Sequence, residues 1–233
     1  MLNRATHLSL VPRLLPSRDS ISDESRELDH SFRQFYTERT LSVTRAALGL
    51  WMALILSIAV LDAFLMPSLF VEQTAWMRIL AMLGPVSVAL GATFVVKLRP
   101  WLPYVTAAAA FLAGVAALAV SASAMRTGAT DTHWSFLFAT FSIYLVLGLT
   151  LRQSISAAWP LFIGYLAISS VPGVPVEQSA YGAVFLGALN FIGTFGSYRL
   201  ERSAREYYDS KLENLRLART DGLTGLFSRR AFD

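Results

Sequence analysis

Residues 101–125 read WLPYVTAAAAFLAGVAALAVSASAM, a run without one charged side chain. A helix needs roughly 20 apolar residues to cross a hydrocarbon core of about 30 Å, and this run has them. Ala46–Met66, Ile79–Val96, Trp134–Leu151, Ser154–Val171 and Tyr181–Tyr198 have similar length and character. The sequence therefore predicts an all-α fold, a six-helix transmembrane bundle with short connections over residues 45–198. Trp76, Trp101, Trp134, Tyr181 and Tyr198 fall at predicted helix ends, where amphipathic rings favour the headgroup layer.

The bulk composition agrees. Hydrophobic residues make up 54% of the 233, charged residues 15%, and the mean hydropathy is +0.48. Soluble domains usually carry about a quarter charged residues. Without cysteine there are no disulfides and no thiolate metal sites. His7, His30 and His133 are scattered outside the apolar runs, so no metal site is expected in this chain. The net charge of +4 would raise nucleic acid for a soluble protein. Here the basic residues flank apolar runs, so the expected partner is the lipid bilayer and not nucleic acid.

Those basic residues give an orientation. Arg33, Arg39 and Arg45 precede the first span, Lys97 and Arg99 lie between the second and third, Arg152 between the fourth and fifth, and Arg199, Arg202 and Arg205 after the sixth. The other connections hold Arg78 and Arg126 at helix ends, with Glu72, Asp131 and Glu177. The bias alternates with each crossing, which places both termini in the cytoplasm.

Polar residues inside the spans are few. Asp62 falls near the outer end of the first span and Asn190 midway along the sixth. An intramembrane acid is a candidate signal or switch residue, and an intramembrane amide most simply hydrogen-bonds a neighbouring helix. Pro85 and Pro160 read as tolerated kinks. Ala183/Gly187 and Gly193/Ser197 have the small-xxx-small spacing of close helix packing.

Two segments flank the bundle. Residues 1–44 form a polar arm with Pro12 and Pro16, expected to be partly disordered, with a helix over Ser31–Arg45 leading into the first span. Its patch Leu8–Leu15 is too short for a signal-peptide core. Residues 199–219 are charged and free of Gly and Pro, a predicted helical stalk. Ala204, Tyr208, Leu212 and Leu215 make an apolar stripe there, suited to a parallel dimer. At Thr220-Asp221-Gly222 the helix should end, because Gly222 frees the backbone and Asp221 offers a side-chain acceptor.

The residues that follow, DGLTGLFSRR, resemble the opening of GGDEF domains, D-x-L-T-G-L-x-N-R-R. Asp221, Leu223, Thr224, Gly225, Leu226, Arg229 and Arg230 match in register, and Ser228 stands where asparagine is commonest. The upstream region is also similar to a six-helix module found on bacterial diguanylate cyclases and adenylate cyclases. LDAFLMP closing the first span, N-x-x-G-T-F-G-S-Y in the sixth and L-E-R-x-x-R-E after it carry that likeness. The resemblance implies a protein of the bacterial inner membrane whose truncated α/β GGDEF domain begins at residue 220. Such domains condense two GTP into cyclic di-GMP with Mg²⁺, one nucleotide on each protomer of a homodimer. Substrate-binding and metal-binding residues would lie beyond Asp233, so no catalytic residue is named and the chain itself holds no cofactor. A non-catalytic receptor with a degenerate GGDEF domain is the alternative. A small transporter fits the spans but leaves the stalk and motif without a purpose. Short outer connections leave the signal open between a lipid-soluble ligand, a membrane property and a membrane partner.

Overall fold

The computed structural model describes residues 18–66, 68–127, 134–170 and 176–219, and every regular element among them is a helix. Two long rods stand out, α1 (Arg18–Leu65) and α7 (Val176–Arg219). Between them come α2 (Ser68–Trp76), a π-helical stretch (Met77–Leu83) and α3 (Gly84–Ala92), which follow one another directly. A 3-10 turn (Val96–Trp101) leads to α4 (Leu102–Thr127), α5 (Trp134–Leu145) and α6 (Leu151–Ser169).

Four segments are long and apolar enough to cross a membrane: Asp29–Leu65, Phe70–Ala92, Val96–Ala124 and Ser179–Leu215. Large apolar side chains stand in the open along them, with Phe64 82% and Leu65 74% exposed. Exposed apolar surface on this scale is a face for lipid, and the chain is a membrane protein.

The remaining two expected spans come out differently. In place of a helix over Trp134–Leu151, α5 stops at Leu145. Its 12 residues rise about 18 Å, short of the roughly 30 Å core. The cause is Gly148, whose φ of 65° breaks the helix. A Cβ there would also lie 2.8 Å from Thr40 Cβ. Leu147 and Leu149 flank this glycine, so hydropathy reads straight through the break. The helix α6 has 19 residues, but Arg152, Gln153 and Ser154 make its first turn polar. At the N-terminal end, α1 extends the helix expected over Ser31–Arg45 back to Arg18. Much of the arm expected to be disordered is thus helical.

Pro85 is the second residue of α3, which follows the π-helical stretch immediately. Proline has no N–H for the carbonyl four residues back, and its ring crowds that carbonyl. A wide π turn just before it accommodates both defects. Pro160 sits inside α6 without breaking it.

Small residues set the packing. Ala109, Ala110, Ala113 and Ala117 of α4 are buried in one core with Ala157, Ala158 and Leu161 of α6. On α7, Gly187 faces Phe162 of α6, and Gly193 faces the Tyr144 ring of α5. The small-xxx-small positions are thus filled by side chains of the same chain. A Cβ added at Gly193 would overlap that ring, whereas one at Gly49 would meet nothing within 4 Å. Gly193→Leu should therefore cost about 1–3 kcal/mol through overpacking. Gly49→Ala should be neutral or slightly stabilising. Thermal unfolding in detergent followed by helical circular dichroism tests both, and equal melting of the two variants would sink the packing assignment.

Candidate functional site

Seventeen residues separate Arg45 from Asp62 along α1, about 26 Å of rise. Arg45 anchors the basic end of the bundle, donating from Nη2 to the Thr93 carbonyl at 2.6 Å, where α3 ends. Asp62 therefore lies near the far end. There its carboxylate pairs with the Arg78 guanidinium, on the π-helical stretch. Both side chains are largely enclosed, 15% and 7% exposed. The Arg78 guanidinium also lies 5.7 Å from the centre of the Phe70 ring.

Asp62 was legible in the sequence as a candidate, but its partner was not. Arg78 reads as an ordinary cation at a helix boundary. The available signal was an acid just inside the end of one apolar run and an arginine just before the start of the next.

Beside the pair is a cavity of ≈ 100 Å³, lined by α1, the π-helical stretch, α4 and α5. Trp51, Ser121 and Phe138 share its wall with Asp62 and Arg78. Trp51 Nε1 and Arg78 Nη1 are both buried without a hydrogen-bond acceptor. An unmet buried donor costs about 1–3 kcal/mol, so two on one cavity are a specific feature. Among the described residues no three His, Asp or Glu side chains gather as a metal site.

Asn190 occupies a different place and has a different character. It is fully buried, and its side-chain hydrogen bonds to Tyr144 and to the Leu186 carbonyl stay within the bundle. Trp159 Nε1 of α6 donates to Thr194 Oγ1 (3.4 Å), Thr194 donates to Tyr144 Oη (3.2 Å), and Tyr144 donates to Asn190 Oδ1 (3.0 Å). Asn190 Nδ2 then donates to the Leu186 carbonyl at 2.9 Å. This relay ties α5, α6 and α7 together. Interhelical hydrogen bonds in membranes average about 0.6 kcal/mol, so the relay fixes register more than it supplies stability.

At the basic end, α1 grips the stalk. Phe32 and Tyr36 are buried against Ala204, with Phe35 and Tyr208 packed around them. Phe35 and Tyr208 rings lie 5.0 Å apart. Arg39 covers the Tyr207 ring and Lys211 the Phe35 ring, at 4.2 and 5.1 Å. Arg205 bridges Asp29 and Glu201, each at 3.1 Å. Ion pairs this exposed are worth about 0–1 kcal/mol, and each aromatic pair about 0.5–1.5, so the rings hold the clasp. Half of the stripe read as a dimer face, Ala204 and Tyr208, is thus covered within the chain. Leu212 and Leu215 stay exposed. Asp221, Leu223, Thr224, Gly225, Leu226, Arg229 and Arg230 lie outside the described residues.

Two outcomes are expected. Asp62→Ala strands the Arg78 charge and should destabilise by about 3–5 kcal/mol, whereas Asp62→Leu with Arg78→Met should recover most of that loss. Unfolding midpoints in detergent decide it, and a double variant no better than the single one would show the pair is not a closed unit. The second concerns pH. Burial, and then the charge of Glu201, hold the Tyr36 phenol above its ordinary value, with Arg39 opposing. Its contribution to the clasp is complete below about pH 10 and is lost as pH rises through the higher folded value. Spin labels at Ser31 and Ser210 should report an opening above that pH, and Tyr36→Phe should blunt it. An unchanged opening in the variant would remove Tyr36 from the cause.

No protein-family model matches this chain, and no curated protein sequence matches it.

Proposed function

We propose that this chain is the sensor and membrane anchor of a bacterial diguanylate cyclase, with a GGDEF domain entered at Asp221. That domain would make cyclic di-GMP from two GTP with Mg²⁺. The observation that carries the reading is a succession along one rod. The single helix α7 runs from Val176 through the apolar segment and the charged stalk to Arg219, and DGLTGLFSRR begins two residues on, at Asp221. Its 44 residues rise about 66 Å, enough to carry a displacement from one face of a bilayer into the compartment beyond the other.

The same reading takes the bundle as six crossings of the inner membrane, with both termini in the cytoplasm. Two contacts on α7 support the count. The Leu151 N–H, at the start of α6, donates to Glu201 at 2.8 Å. Tyr165, near the other end of α6, lies against Gly182. Gly182 and Glu201 stand 19 residues apart, about 29 Å of rise, which is close to the core thickness. α6, whose 19 residues rise about 28 Å, packs along this stretch of α7. The reading takes α5 together with the non-helical residues 146–150 as the returning limb before it. An even count also keeps the arm and the stalk on the same side, where they clasp. Leu212 and Leu215 offer a second copy a place on the stalk, and two GTP-loaded domains must meet for condensation.

Helix phase gives the test. In the natural protein, two alanines inserted after Ser210 turn everything beyond by about 200°. Seven turn it by nearly two whole turns. The first should abolish or lock cyclic di-GMP production, and the second should restore regulated output. A reading frame without a GGDEF signature loop after Asp233 would end this reading, as would equal activity of both insertions.

A further inference from the structure

We propose that the arm of α1 is a strap that keeps two stalks from pairing, because it occupies the face on which a second copy would sit. The inference deepens the homodimer reading of the stalk and rests on it. At about 100° per residue, Lys211 and Leu215 stand about 20° to either side of Ala204 around the helix, and Tyr208 about 40° away. One narrow face carries all four. The arm holds most of it. Ala204 is 9% exposed, buried with Phe32 and Tyr36. The Phe32 and Phe35 rings lie 5.7 and 5.0 Å from the Tyr208 ring, and the Lys211 ammonium lies 5.1 Å from the Phe35 ring. Farther along the same face Leu215 is 49% exposed.

Packed helices set their axes about 8–10 Å apart, so α1 and a second stalk cannot both stand on this face. The arm belongs to the same bundle and needs no encounter, whereas a second copy must diffuse to the stalk. Release would not strand Arg205, which keeps Glu201 of its own helix at 3.1 Å when Asp29 leaves. A pair as exposed as Arg205–Asp29 contributes little, so the strap holds through its rings. A shift of α7 that withdrew them would free Ala204 and Tyr208, and the two stalks could then meet from Ala204 to Leu215.

The chain has no cysteine, so a single introduced one can form a disulfide only between copies, where Cα atoms come within about 7 Å. Ala204→Cys, Leu215→Cys and Glu213→Cys are oxidised separately in proteoliposomes of the full chain. Glu213 stands about 180° from Ala204 and measures random collision. With the arm intact, Ala204→Cys should cross-link no faster than Glu213→Cys. Phe32→Ala with Phe35→Ala should raise it at least tenfold, with maleimide labelling of Ala204→Cys to show that the strap has opened. Phe35→Ala alone should act in the same direction if the double variant folds poorly. Equal cross-linking of Ala204→Cys with the strap closed and open overturns the proposal, even where Leu215→Cys exceeds collision and the homodimer stands. If neither Ala204→Cys nor Leu215→Cys exceeds Glu213→Cys in the opened variant, the homodimer reading falls and the strap with it. None of these outcomes depends on cyclic di-GMP, so the cyclase reading is judged separately by the alanine insertions.

Discussion

Lipid offers no hydrogen bond, so each place where a helix stops inside this bundle must be closed by the protein. The short elements end at one level, and the long rods close them. Arg45 of α1 reaches the Thr93 carbonyl at the end of α3, and Thr44, one residue earlier, donates to the Leu147 carbonyl at 3.1 Å. From the other side Glu201 of α7 accepts the Leu151 N–H at the start of α6. Thr150 and Gln153 complete a reciprocal cap there, and Ser154 donates to the Ile143 carbonyl. Without α1 and α7 the break between α5 and α6 would leave several backbone groups bare, at about 1–3 kcal/mol each. The position of the rods is therefore a condition for the rest of the bundle.

This dependence explains what the sequence could and could not reveal. Apolar length identified the spans around Trp51, Ala113 and Phe191 because hydropathy is a sum over neighbours. It could not find the Gly148 break, because that break is held by Thr40 and Thr44, more than a hundred residues away in the chain. Composition marks the arm as partly disordered apart from a helix over Ser31–Arg45, and it does not show that Phe32 and Tyr36 of that helix find a complementary face on the stalk. A tertiary partner overrides weak local propensity. In the candidate site Asp62 was visible as an acid in an apolar run. Arg78 and Trp51 were not, since only the folded bundle brings the guanidinium to Asp62 and both residues to the wall of one cavity. Asn190 was legible in kind, as a helix-linking amide, but not in the length of its relay through Tyr144 and Thr194.

The clasp and the ion pair sit at opposite ends of the same rod. From Phe32 to Asp62 α1 is one helix, about 45 Å of rise. α7 packs chiefly on α5 and α6 within the bundle, and it meets α1 at the clasp. Within the bundle α5 holds α7, and the two rods meet at the basic end.

On the proposed reading, this geometry makes α5 the element through which a signal would act. Its Tyr144 ring rests on Gly193 while its hydroxyl feeds Asn190, so it can neither sink into α7 nor slide along it freely. Phe138 of the same helix lines both the far-end cavity and an apolar groove between α1, α5 and α7. Pressure on α5 there would pass to α7, on which it packs. A ligand shifts such an equilibrium only by its differential affinity for the two arrangements, and about 5.5 kcal/mol would be needed to invert a 1:99 population. A single hydrogen bond of about 1 kcal/mol falls well short, so a signal that moves the stalk would have to repack α5 and not merely touch it.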